Sequence, residues 1–444
     1  MNNHRKIKAL FLLSICLCLV TGCKKDNILK LPITYQKGFG PFETSGGGSI
    51  SLYNDDKNNP WKNTFLKVSG VPKNWTDTKV GDIHSDIYQY VYQNYHSGNI
   101  SKEWYDELKI MWNWEPDTLN LSKEPIKCRA AFAVGNDSTG NAMVIVDANN
   151  NYDFSDDEPF EPIEYDSELD WDSLANNEAI DVTFERIFNN KKVQVNVPLL
   201  ISSVNMDQYY LLCNFAQYGT AKLGNHLISI HSFKFTNLTF KDVGITINQS
   251  LNGEKVDLKK VVFNNEYLEI ENDLYKNLGV NRNKDVLLLE KMDLSKNQIR
   301  STQIGNKPFD FSEKQFQKQN MISLDSLRGG KYVLLEFWDT WCGPCIKEIP
   351  NLKMIYNKTD KSKFEIIGIV GNNQITVLEK FANKHGITWP QIIDSSNKIK
   401  EKYGGVRGIP ATFLINPEGI IIAKDLRGKE LETKIDSLIN KASR

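Results

Sequence analysis

Tyr332-Val333-Leu334-Leu335-Glu336-Phe337-Trp338 reads as a buried strand, apolar but for one carboxylate, and it runs into Trp341-Cys342-Gly343-Pro344-Cys345 at the start of a helical pattern. A strand handing over to a helix in this way calls for a layered α/β fold. The same junction carries chemistry. Two thiols three residues apart at a helix N-terminus can close into a disulfide without moving the backbone. The free N–H groups and positive dipole end of the helix stabilise a thiolate on the first cysteine. Such a setting lowers a cysteine pKa from about 8.5 toward about 7, which makes Cys342 a nucleophile at neutral pH.

Downstream the alternation continues. A helix is predicted from 342 to about 357, a strand over Phe364 to Val370 and a helix over Ile375 to His385. Ile392-Ile393, a helical stretch from Asn397 to Tyr403, strands Ala411 to Ile415 and Ile420 to Lys424, and a helix from about Glu430 to Asn440 complete an α/β domain over 301–444. A break in pattern near Lys296 to Gly305 sets its start.

The N-terminus reads as an address. His4, Arg5, Lys6 and Lys8 precede an apolar run from Ala9 to Val20, too short for the roughly 20 residues that span a bilayer, so residues 1–22 are expected to be a signal peptide. Val20-Thr21-Gly22-Cys23 resembles a bacterial lipobox, which implies cleavage before Cys23, its lipidation and anchoring to a membrane in the cell envelope, facing the periplasm or cell surface. Residues 23–50, with Ser45-Gly46-Gly47-Gly48-Ser49, read as a flexible tether. In an exported chain a sparse cysteine set with one CxxC points to catalysis rather than a disulfide scaffold. Cys128 and Cys213 could bridge or remain buried thiols. With 54 basic and 55 acidic residues and no basic stripe, nucleic acid is not an expected partner.

Residues 51–300 read as a β-rich (α+β) accessory region of sandwich or barrel type. Helices are expected over Ile83 to Tyr95 and Glu103 to Trp112, and strands over 142–146, 192–197, 209–212 and 227–230. Trp104, Tyr105, Trp112 and Trp114 form an aromatic group that fits either core packing or sugar stacking. In the loop 147–158, Asp147, Asn149, Asn151, Asp153, Ser155 and Glu158 stand at the ligand spacing of an EF-hand calcium loop, which suggests a structural calcium; Tyr152 occupies the place where the turn wants glycine.

Taken in order, Ile304-Gly305-x-x-Pro308, Phe337-Trp338-x-Thr340-Trp341-Cys342-Gly343-Pro344-Cys345, Lys347-Glu348-x-Pro350, Gly408-Ile409-Pro410-Ala411-Thr412-Phe413 and Pro417-x-Gly419 resemble the thioredoxin superfamily, in particular its exported TlpA/ResA-like reductases. The likeness covers about a third of the chain, and the 65 residues from Cys345 to Pro410 leave room for the insertion of that branch. The resemblance implies that Cys342 attacks, Cys345 resolves, and Pro410 is a cis-proline presenting the backbone of Ile409 to substrate. It places Trp341, Gly343 and Pro344 beside the dithiol, and Pro350 at a kink in the helix. The Gly343-Pro344 spacer is similar to that of reducing members.

Glu336 would cost several kcal/mol as a lone buried charge, so it is expected to be protonated, paired or water-linked. Thioredoxins hold an aspartate at this place, which implies a proton acceptor for Cys345. Glu348, one helical turn beyond Cys345, matches a glutamate implicated in tuning ResA-like sites, against the plainer reading of a solvated helix residue. The implied function is reduction of disulfides in exported proteins, with no cofactor beyond the cysteine pair and a membrane thiol electron donor for recycling. The alternative is an envelope ligand-binding lipoprotein with an ancillary redox module. A peroxidase would want Pro-x-x-x-Thr-x-x-Cys, where this chain has Leu335 and Asp339, and a zinc site lacks ligands beyond His385.

Overall fold

The computed structural model describes residues 27–444 apart from 45–46, 113, 248–254, 296–297, 317, 319, 328–329, 372–374, 404–407 and 442–444. The expected signal peptide and the lipidation site Cys23 lie outside the described residues.

The C-terminal domain is built on a five-stranded sheet. Its strands are β1 (Tyr332–Trp338), β2 (Phe364–Val370), β3 (Gln391–Ile393), β4 (Ala411–Ile415) and β5 (Ile421–Lys424), in the order β3-β2-β1-β4-β5. The β1–β2 and β2–β3 pairs are parallel, while β4 and β5 are antiparallel additions. Besides the single turn Leu324–Leu327, the helices are α1 (Gly343–Lys358), α2 (Ile375–His385), α3 (Lys398–Lys402) and α4 (Gly428–Lys441). Strand alternation divides β1 between two cores. Leu334 and Trp338 pack with Cys345, Ile349 and Leu352 of α1 and with Leu431 of α4. Val333, Leu335 and Phe337 face the other way, onto Ile399 and Tyr403. By the same alternation Glu336 lies on the α1 face. This is the thioredoxin fold expected for the C-terminal third.

The accessory region is strand-rich, with several antiparallel sheets that pack in pairs. One core joins Ile83, Phe132 and Val146 to Phe184, Leu199 and Phe215. Another joins Ile228, Ile230 and Ile245 to Leu268, Tyr275 and Leu287. Cys128 and Cys213 are free thiols in different cores, the first among aromatic residues and the second inside the first sandwich. Burial pushes both thiols up, that of Cys213 to about 12.

Two local expectations are corrected. The segment read as a tether is ordered from Ile28, because Ile28–Pro32 pairs with Val286–Glu290 and Thr34–Lys37 with Gln217–Thr220. Phe39 and Phe42 then anchor it in a core. The helix expected from Ile83 begins at Ile87, because Thr76–His84 is a strand and Asp86 caps the helix by accepting the N–H groups of Tyr88 and Gln89. In the aromatic group Tyr105 and Trp114 are buried core residues, edge-on at 6.0 Å.

The two regions meet through residues 301–304. The Gln303 side-chain amide donates to the carbonyl of Tyr267 at 2.9 Å and accepts its N–H at 2.8 Å. It thereby completes the edge strand Tyr267–Ile270 as a further backbone would. Thr302 donates to Glu266 beside it.

Candidate active site

Cys342 stands at the N-cap of α1 with extended backbone, and its sulfur accepts the Cys345 N–H at 3.2 Å. Pro344 in the first turn lacks only an N–H that no helix partner would meet there. The cap geometry brings the two Cα atoms to 5.2 Å, and the sulfurs are joined in a disulfide. Cys345 is fully buried. Cys342 is only 3% exposed in this closed state, since its sulfur is turned in toward Cys345 and the helix N-terminus. Trp341 beside it is 75% exposed and offers the apolar surface at the mouth of the site. Gly343 and Pro344 are exposed too, and Pro350 lies inside α1.

The Ile409–Pro410 peptide bond is cis. Phe337 pairs with Ala411 and Glu336 with Thr412, so the antiparallel register carries Pro410 alongside Trp338, at the end of β1 that leads to Cys342. Arg427 holds that loop from outside by donating to the Pro410 carbonyl. Ile409 is half-buried and touches both cores.

The two carboxylates occupy different settings. Glu336 is 1% exposed, and burial pushes its carboxyl up to about 8. The Trp389 indole opposes the shift, while the charge of Glu348 adds to it. Glu348 is half-buried and anchored: its Oε1 accepts from Asn351 Nδ2 at 2.7 Å and from the Gly428 N–H at 2.8 Å. Since Gly428 opens α4, Glu348 ties the active-site helix to the last helix.

Sequence reasoning missed Asn351, Trp389, Gln391, Arg427 and Gly428. Gln391 is fully buried and accepts from the Trp338 indole at 2.9 Å. Its signal was a polar side chain opening the short apolar run Gln391-Ile392-Ile393, directly after Trp389-Pro390.

The structure lends the calcium expectation no support. Asp147 accepts the N–H groups of Asn151 and Tyr152 at 2.9 and 2.8 Å. Asn149 accepts Asn151 N–H, Asn151 accepts Asp153 N–H, and Asp153 caps Ser155 N–H. Nested turns of this kind direct side-chain oxygens onto the loop's own backbone. Ser155 and Glu158 stay exposed, and Tyr152 adopts a φ of 72° where an EF-hand turn has glycine. Among the described residues no group of three or more His, Cys, Asp or Glu side chains is placed to hold a metal ion.

A model of the AhpC/TSA family matches residues 304–424. Thiol-disulfide oxidoreductase ResA of Bacillus subtilis (strain 168) is 37% identical over 120 residues, which is 27% of this chain and 65% of that protein. ResA of Bacillus anthracis is 33% identical over 120 residues, 27% of this chain and 68% of the relative. The chain thus spans about two thirds of the length of these curated relatives. Among solved structures, the thioredoxin domain of a thiol-disulfide oxidoreductase from Bacteroides vulgatus is 29% identical, covering 31% of this chain and 98% of that one at a TM-score of 0.29. Through its C-terminal third the chain belongs to the ResA family of thiol-disulfide oxidoreductases.

Proposed function

We propose that this protein is a thiol-disulfide oxidoreductase that reduces disulfides in exported proteins at the cell envelope, lipid-anchored through Cys23. The observation that carries the reading is the Cys342–Cys345 pair at the N-terminus of α1, with a buried carboxyl on the same face of the sheet. In the reduced protein the Cys342 thiolate attacks one sulfur of the substrate disulfide. A mixed disulfide forms and the other substrate sulfur leaves as a thiolate. Cys345 gives its proton to the Glu336 carboxylate and attacks the Cys342 sulfur, so that the bond to substrate breaks and the second substrate sulfur leaves as a thiolate. Two electrons have then passed to substrate, and the protein holds the 342–345 disulfide. A membrane thiol donor returns two electrons to reopen it.

Trp341 and the backbone at Ile409 and Pro410 offer the substrate an apolar contact and a strand edge beside the sulfurs. The Gly343-Pro344 spacer favours the reducing direction; thioredoxin itself works near about −270 mV and strong oxidants near about −120 mV. Leu335 and Asp339, in place of proline and threonine, argue against peroxidase chemistry at Cys342.

The test is reduction of insulin with dithiothreitol. The wild-type protein is expected to accelerate it, Cys342→Ser to abolish the acceleration, and Cys345→Ala to trap the mixed disulfide. A wild-type protein that gives no acceleration over Cys342→Ser rejects the reading.

A further inference from the structure

Two buried polar atoms on the α1 face of the sheet have no hydrogen-bond partner: Glu336 Oε2 and Trp389 Nε1. Each belongs to a residue only 1% exposed. Native interiors leave few such groups unmet, because each lost partner is costly. The sheet register and the core packing place both on the same side of the sheet. Glu336 pairs with Gly368, and Gly368 with Gln391, so the three positions form one row on one face. Gly368 contributes no side chain, and Gln391 lies across it, with Oε1 only 2.1 Å from where a Cβ would stand. Trp389, two residues before Gln391, belongs to the same core as Trp338 and Cys345, its ring edge-on to Tyr356 at 5.8 Å. Its indole acts on the Glu336 carboxyl in favour of the ionised form.

The other neighbours of Glu336 are committed elsewhere. Gln391 accepts from Trp338, and Thr412 of β4 donates to the Leu426 carbonyl at 3.1 Å. Cys342 and Cys345 are joined to each other. Glu348 of α1 is the charged side chain that acts on Glu336, and it disfavours ionisation.

We propose that Trp389 is a positioning residue for the resolving step: its indole N–H is the donor that meets the Glu336 carboxylate once that group has lost its proton. The proposal rests on the reductase reading, in which Glu336 must be ionised to take the proton of Cys345. A neutral carboxyl draws little from the indole, whereas a carboxylate makes a charge-assisted hydrogen bond. The pair is thus matched to the ionised form and steadies it in a setting that otherwise resists charge. When the proton arrives from Cys345, the bond to Trp389 weakens again and the site returns to its resting state.

The test uses the oxidised full chain without substrate. Indole nitrogens labelled with nitrogen-15 and the Glu336 carboxyl labelled with carbon-13 are followed by NMR across neutral and mildly alkaline pH. The Trp389 indole resonance is expected to titrate with the midpoint of Glu336, and Glu336→Gln to flatten it. Trp389→Phe, which keeps the ring but removes the N–H, is expected to raise the Glu336 midpoint by about one pH unit, a tenfold drop in ionised fraction below it. A merely structural role would lower the melting temperature and leave that midpoint unmoved. A Trp389 resonance indifferent to the Glu336 titration, or an unmoved midpoint in folded Trp389→Phe, overturns the proposal. Should Trp389→Phe fail to fold, the wild-type resonances decide. Because no substrate is involved, failure of the insulin assay would reject the reductase reading separately.

Discussion

A glutamate buried inside a sheet works against stability for as long as it is ionised. The carboxyl of Glu336 is pushed up to about 8 from an ordinary 4.5. Between those values the folded chain keeps a proton that the unfolded chain has lost. Stability therefore falls as pH rises from about 4.5 and levels off above about 8. Glu336→Gln should remove that slope and make the protein more stable at pH 8 by roughly 2–4 kcal/mol, while slowing the resolving step. Urea unfolding at pH 5 and pH 8 checks this; equal pH dependence in both proteins contradicts it. A charge inside an apolar run was visible in the sequence, and so was its spacing to Cys342. Its partner Trp389 was not, because 53 residues separate them and only the sheet makes them neighbours.

The redox sheet leaves one gap that a glycine must fill. A Cβ at Gly368 would stand 2.1 Å from Gln391 Oε1 and 2.4 Å from its Nε2. Gly368→Ala must push the Gln391 amide aside, which leaves the buried Trp338 N–H without its acceptor. The expected cost is about 2–4 kcal/mol, the sum of overpacking and one unmet donor, read as a lowered thermal midpoint. Elements with a strong apolar period of their own were legible from the chain alone, and β2, α2 and β4 coincide with their expected bounds. Ile83 was misassigned because Ile83 to Tyr95 also satisfies a helical period. The strand Thr76–His84 is decided by pairing with Arg129–Asn136, a long-range partner that no local window contains. The pattern of 28–42 was overridden in the same way, by strands 180 or more residues away that accept it as an edge.

At the scale of the molecule, the accessory sheets and the redox domain are clasped by a side chain that imitates a strand. Gln303→Ala removes both hydrogen bonds to Tyr267 and should loosen the join by about 1–2 kcal/mol, with faster hydrogen exchange at the Tyr267 amide and little change inside β1. Unchanged exchange at Tyr267 would mean that Thr302 and its neighbours hold the join without Gln303. By itself the sequence determined the chemistry of the C-terminal third: a dithiol at a helix start, a strand before it and a proline after it. Those features are local, and their residue types and spacing carry them. The tertiary structure alone decided which distant groups surround the dithiol, that the calcium-like loop turns its oxygens onto its own backbone, and that the supposed tether is woven into three sheets. These depend on pairing and burial between residues far apart in the chain, and such energies exist only once the chain has closed on itself.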